Sequence, residues 1–307
     1  MRVKKKNKSI NKSNLEYLLM VLPGFLLILI FAYIPMVGIV LAFKNIDYAK
    51  GILFSDWCGL DNLKMLFASP DFKIILRNTL GYNLAFVFLN AAVPLALSIA
   101  LSQLRNKKTS KVYQTIIMLP HFISYIVITY IVYAFLSYKY GLLNNIYEFI
   151  GRDKIDWYAN VKIWPYIILF LGVWKSAGYN SVVYLAAISG IDDTLYEAAA
   201  IDGAKKMQQI WYITFPQLSN VVIIMVILNL GSILNSDIGL FLNVTMEKGQ
   251  LFPVTNVIAT YTYRALRVNG DIGVSSAIGF FQSVVGFLII MLTNGIVKKI
   301  DPEKSLF

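Results

Sequence analysis

The chain has 307 residues, 57% of them hydrophobic and only 15% charged, with a mean hydropathy of +0.62. That composition excludes an ordinary soluble domain. The formal charge of +11 does not mark a nucleic-acid binder, because the basic residues gather in short stretches between long uncharged runs. One cysteine, Cys58, excludes an internal disulfide and any zinc site built from several thiolates, and one histidine, His121, leaves a metal-dependent or His-based catalytic centre with little support.

A basic tail over residues 1–16 precedes a first apolar run, 18–43. The run is too long for a signal-peptide core and reads as a retained span kinked at Pro23 and Pro35. Residues 44–72 are too polar to cross and are expected to fold back along the outer face. The second span, 74–104, puts Asn83 and Asn90 seven apart on one face, which is expected to turn toward protein. Residues 105–111 hold four basic residues and no acid, assigning that loop to the inner side.

The third span, 112–138, contains Pro120 and His121, with His121 expected to satisfy a backbone carbonyl near the kink. Residues 139–162 lie outside, and the fourth span, 163–188, carries Trp174 and Lys175 at its middle and Asn180 beyond. The fifth span is 218–244 and the sixth 272–297, ending in Lys298 and Lys299. Between them, outside, residues 254–268 are amphipathic and are expected to form a surface helix. The fold predicted is an all-α integral membrane protein of about six transmembrane helices with both termini cytoplasmic. It is read as one transmembrane domain, 17–300, followed by a short tail, 301–307.

The longest interior run that cannot sit in a bilayer is 192–216, between spans four and five. Thr194 and Glu197 have capping-box spacing, predicting the start of a short helix. Ala198, Ala199 and Ala200 give it a smooth face, and Gly203 permits a sharp change of direction. A second amphipathic stretch follows, and Pro216 is expected to open the fifth span. Such a helix–glycine–helix unit with an acidic rim suits docking in another protein's groove.

Glu197-Ala198-Ala199, then Asp202-Gly203-Ala204, then Ile213-Thr214-Phe215-Pro216 nine residues beyond the glycine, resembles the EAA loop of ABC-importer permeases. These are the inner-membrane components of binding-protein-dependent transport systems. The usual Leu-Pro is Phe215-Pro216 here. The resemblance is strongest over 72–299 and implies that the loop is a coupling helix seated on an ABC ATPase pair. It further implies a second, homologous permease, an extracellular solute-binding lipoprotein and a bacterial plasma-membrane location. NTLGYN (78–83), MLPHFIS (118–124), GLLNNI (141–146), VWKSAGYNSVVYLAAISGI (173–191), VIATYTYR (257–264) and SAIGFFQSVVG (276–286) resemble the carbohydrate branch, pointing to an oligosaccharide substrate. Where that branch has an aromatic-Asp-Gln cluster, this chain reads Ser236-Asp237-Ile238.

The chain has no G-x-x-x-x-G-K-[ST] phosphate loop. ATP and magnesium are therefore expected on the ATPase, with no cofactor on this chain and no catalytic residue. A lysine at a helix centre costs about 2.5–3.5 kcal/mol on insertion scales. Lys175, with Trp174 and Asn180, is expected either to line the translocation path or to lock a helix pair, unless it snorkels to an interface. Asn229, Ser232 and Ser236 follow i, i+3, i+7 and form one polar stripe with Asn235 and Asp237 beside it. This is read as path lining or as interhelical hydrogen bonding. Gln282, with Gly279 and Gly286, marks a similar face of the last span. Other classes remain: an ABC permease for amino acids or peptides, an ion-coupled transporter, for which Asp237 is the one mid-span acid, and a membrane enzyme, which would need clustered acids or histidines.

Overall fold

The computed structural model describes residues 12–52, 54–104, 106–302 and 305; most of the basic tail, Arg105 and Lys304 lie outside the described residues. The chain is overwhelmingly helical, as a lipid-embedded backbone must be when no water can satisfy its N–H and C=O groups. Helix α1 (Lys12–Ile28) runs on through a wide turn, Leu29–Tyr33, and a tight stretch, Ile34–Phe43. A two-stranded hairpin, β1 (Lys44–Asn45) against β2 (Asp56–Trp57), then leads to α2 (Asp61–Ala68). The side chain of Asn62 binds the hairpin entry by donating to the carbonyls of Ala42 and Lys44. The long α3 (Phe72–Ser102) is followed by α4 (Lys107–Phe122), α5 (Tyr125–Leu136) and α6 (Leu142–Phe149). Next come α7 (Trp164–Ser189), α8 (Asp193–Ile201), α9 (Lys206–Gln209) and α10 (Phe215–Gly231). The chain closes with α11 (Phe252–Thr255), α12 (Ile258–Arg267) and α13 (Ile272–Ile300).

Among the described residues, four helical stretches are long and apolar enough to cross a membrane: Glu16–Phe43, Phe72–Ser102, Lys206–Gly231 and Ile272–Ile300. The α4–α5 pair makes a fifth if it counts as one span. The 26-residue α7 has the expected bounds of a fourth span, but Lys175 and its polar neighbours make it less apolar.

Two expected spans are built differently. The third is broken at Ile123 and Ser124, where α4 and α5 meet at 96°. The hydroxyl of Ser124 accepts from the N–H of Val127 and so starts α5 afresh. The fifth begins earlier and ends earlier than 218–244. Helix runs unbroken from Lys206, through a wide turn at Ile210–Thr214, to Gly231, after which the chain unwinds before a further wide turn at Gly239–Asn243. Pro216 therefore lies within a continuous helix. Proline has no N–H and crowds the carbonyl four residues back; the wide turn absorbs this, with the N–H of Phe215 reaching back to the carbonyl of Ile210.

Three apolar clusters hold the helices together. One joins Tyr82, Ile128, Trp164, Ile168 and Phe241, a second Ile75, Ile258 and Ile278, and a third Leu95, Tyr184 and Leu218. The expected surface helix of the last outer segment is instead a core element: Ile258, Thr260 and Ala265 of α12 are buried, packed between α3 and α13. Much of α1 faces outward, with Met20 and Phe25 among its exposed side chains. It joins the bundle through Ile34–Phe43 against α13.

Candidate functional site

The loop at 192–216 forms a helix–turn–helix whose caps differ from the expected box. Asp192 is the N-cap: its carboxylate accepts from the N–H of Thr194 at 2.9 Å. An ionised oxygen one residue before the helix is a better partner for those first N–H groups than the Thr194 hydroxyl inside it. At the other end Gly203 has φ +80°. The N–H of Gly203 meets the carbonyl of Ala200, and that of Ala204 the carbonyl of Ala199, the two bonds of a Schellman stop. The sharp turn expected of Gly203 is thus present.

Glu197 and Asp202 are exposed and form no ion pair among the described residues. Ile201 protrudes at 87% exposure, beside Ala198 and Ala200. Tyr196 ties α8 to the helix that follows: its hydroxyl lies 2.9 Å from Oγ1 of Thr214, which is itself buried, and its carbonyl accepts from the Gln209 amide at 3.5 Å. Thr214 falls within the motif read from the sequence, whereas Tyr196 is there only one aromatic in an amphipathic run.

A second feature lies between α3, α7 and the unwound end of α10. Here Asn83, Asn90, Tyr125, Ser176, Asn229, Ser232, Asn235 and Asp237 line an open cavity of about 200 Å³, with Phe86 and Phe241 as apolar walls. Because α10 ends at Gly231, Ser232, Asn235 and Ser236 do not continue a helical stripe with Asn229. Ser232 and Asn235 reach a common wall with Asn229 through the unwound chain, while the Ser236 hydroxyl accepts from the Asn83 amide at 3.2 Å. Asn229 donates to the carbonyl of Met225 at 2.7 Å, and the Ser176 hydroxyl to Oδ1 of Asn90 at 2.8 Å. Asp237 accepts from the N–H of Gly239 at 2.8 Å. Ser176 and Tyr125 were missed in the sequence because one is a small residue on a mostly apolar helix and the other one aromatic among many.

The remaining expected residues sit elsewhere. Gln282 donates to the carbonyl of Leu234 at 2.6 Å, and Asn83 to that of Ile233 at 2.7 Å. Together they satisfy the carbonyls exposed where α10 unwinds. Trp174 faces an apolar groove with Leu89, Val93 and Pro120, and Asn180 does not line the polar cavity. The imidazole of His121 stacks on Tyr179, 4.2 Å between centroids, and it is the backbone carbonyl of His121 that is satisfied from outside.

Its donor is Lys175. The ammonium donates to the carbonyls of His121 at 2.8 Å, Pro120 at 3.4 Å and Ile123. It also lies 4.9 Å above the Tyr125 ring. A cation is thereby set at the negative end of α4, where the break leaves carbonyls without intrahelical partners. Lys175 of α7 is thus hydrogen-bonded to the C-terminal end of α4. Gly178, one turn on, makes the approach possible, since a Cβ there would stand 1.8 Å from the carbonyl oxygen of Ile117.

Broken membrane helices sealed by side-chain amides and an ammonium, a polar cavity at one break, and an exposed helix–turn–helix at the end of a span define a multi-pass membrane transport subunit. The chain belongs to the family of binding-protein-dependent transport system inner membrane components, whose model matches residues 92–305. It is 36% identical to the polygalacturonan/rhamnogalacturonan transport system permease protein YteP of Bacillus subtilis, over 98% of this chain and 93% of that one. It is 34% identical to protein LplB of the same organism, over 93% and 89%. Among solved structures it superposes, with TM-score 0.83 and 31% identity over 94% of this chain and 97% of the other, on a bacterial ABC transporter involved in the import of the acidic polysaccharide alginate.

Proposed function

We propose that this chain is one of two homologous permease subunits of an ATP-driven importer, forming with its sister the translocation path for an oligosaccharide. The observation that carries the reading is the cavity of amides and hydroxyls at the break in the fifth span. Sugars are recognised by paired polar groups and by aromatic walls, and a membrane interior without such a purpose keeps polar side chains to a minimum. The relatives support the substrate class. Besides YteP they include an arabinooligosaccharide permease of Halalkalibacterium halodurans and a trehalose/maltose permease of Thermococcus litoralis. One alginate transporter structure holds a periplasmic protein bound to an alginate pentasaccharide.

In this reading the chain crosses the bacterial plasma membrane six times with both ends inside. The bent α4–α5 pair and α7 supply the third and fourth crossings. Glu197, Ala198, Ala199, Asp202, Gly203 and Ala204 seat in a groove of an ABC ATPase, which carries the ATP and magnesium. Pro216 and the wide turn before it join that knob rigidly to α10. ATPase closure moves the knob, and the two permeases rock between inward and outward access. A solute-binding lipoprotein delivers the sugar to the outer loops. Asn229, Ser232, Asn235 and Asp237 line the path, while Lys175 and Gln282 shape it from behind.

The test is uptake by proteoliposomes holding this chain, its sister permease, the ATPase and the binding protein. Labelled oligogalacturonides, arabino-oligosaccharides and malto-oligosaccharides form the panel. ATP-dependent accumulation of at least one, lost on omission of the binding protein, is expected. Accumulation of an amino acid or peptide instead would reject the substrate class.

A further inference from the structure

The two helix breaks are joined by one side chain. Tyr125 opens α5 immediately after the break in the third span and lies under the Lys175 ammonium. Its ring packs against Gly239 so closely that a Cβ there would be 2.3 Å from a ring carbon. Its hydroxyl faces the Asp237 carboxylate, and both residues line the polar cavity. A molecule in that cavity therefore meets the same tyrosine that the clamp on α4 rests upon.

The clamp is specific to the bent form. In a straight span the carbonyls of Pro120, His121 and Ile123 would take the N–H groups of Ser124, Tyr125 and Val127, four residues on. Here the Val127 N–H is taken by the Ser124 hydroxyl, the His121 and Ile123 carbonyls by Lys175, and the Pro120 carbonyl by the N–H of Ile123, with the ammonium 3.4 Å from it as a second donor. Straightening would leave the ammonium without those acceptors inside the membrane, a costly state. Lys175 therefore favours the bent arrangement.

We propose that Lys175 is a positioning residue for transport: through Tyr125 it ties filling of the polar cavity to the bend of the third span. This rests on the oligosaccharide-importer reading. Sugar that engages Asp237 and the Tyr125 hydroxyl shifts the ring, the ammonium loses its aromatic floor, and the α4–α5 angle is released. Gly239 leaves the ring its place in this arrangement, because a larger residue there would force it aside.

The test uses the complete importer, with Cys58 replaced by serine and spin labels at positions 112 and 135, one on each arm of the bend. Lys175→Met is expected to broaden or lengthen the distance across the bend in the absence of sugar, and to lower uptake by about tenfold or more. Lys175→Arg, which can donate to the same carbonyls, is expected to restore both. Tyr125→Phe keeps the ring beneath the ammonium and removes the hydroxyl. Its resting distance should match wild type, while the change on adding the panel sugar that wild type transports should disappear.

A Lys175→Met complex with the wild-type distance and uptake would overturn the proposal, as would a Tyr125→Phe complex that still responds to sugar. If wild type transported no sugar on the panel, the transport reading would fail and the sugar link with it. The resting distance, read without sugar, would still decide the clamp.

Discussion

Gln282 on α13 donates to the carbonyl of Leu234 while Asn83 on α3 donates to that of Ile233, so two helices distant in sequence seal neighbouring carbonyls of one unwound segment. Neither carbonyl has a helical N–H to accept. Replacing Gln282 with leucine removes a donor from a water-poor site and is expected to cost about 1–3 kcal/mol. It should be read as a lower thermal unfolding temperature of the purified protein in nanodiscs. Adding Asn83→Leu should cost less than the sum of the two single changes, because the first loss already lets the turn relax. Strict additivity would show that the two amides act separately.

Glu197→Lys reverses a charge on an exposed helix with no internal partner and leaves the fold unstressed. The protein should insert and retain its unfolding temperature, yet co-purify poorly with the ATPase and lose most ATP-driven uptake. Gly203→Pro imposes a φ near −65° where the turn needs +80°, and should give the same uncoupling together with loss of local order. Undiminished uptake in both variants would remove the docking role from this loop.

The bounds of the first, second, fourth and last long helical runs and the Gly203 turn could be read from the sequence. Each depends on local signals: runs of apolar residues and one residue able to hold positive φ. The breaks could not. Nothing local separates a kinked proline span from the 96° bend at Ile123 and Ser124, because the donor to the carbonyls at the bend, Lys175, comes from α7. The polar stripe on the fifth span failed similarly, since a 3.6-residue period presumes helix, and the chain unwinds after Gly231 where Asn83 and Gln282 can satisfy it. Membrane polar residues were recognised as purposeful, but whether each serves backbone or cavity is decided by partners remote in sequence.

Gly178 and Gly279 make a matched pair. A Cβ at 178 meets the Ile117 carbonyl oxygen at 1.8 Å, whereas one at 279 meets nothing within 4 Å. Gly178→Ala is expected to destabilise by about 1–3 kcal/mol through forced separation of α4 and α7, and to weaken the Lys175 clamp one turn away. Gly279→Ala should leave the unfolding temperature unchanged or raise it slightly. Equal effects of the two substitutions would mean that α4 and α7 do not pack this closely.

The cap of the docking helix gives a pH-dependent signature of its own. Hydrogen bonds from Thr194, the backbone N–H first, hold the Asp192 carboxyl below its ordinary value of 3.8. For a group whose pKa is depressed by folding, the stabilisation is complete above the unfolded value. It is lost as pH falls through the lower folded value. The first turn of α8 should therefore keep full order from neutral pH down to the ordinary carboxylate range and fray only below it. Asp192→Asn caps the same N–H without a titrating proton, so its helix should show no such acid step, and Asp192→Ala should be frayed at every pH. Hydrogen exchange at the Thr194 and Leu195 amides of the nanodisc-bound protein separates the three cases. An acid step that persists in Asp192→Asn would assign the transition to another group.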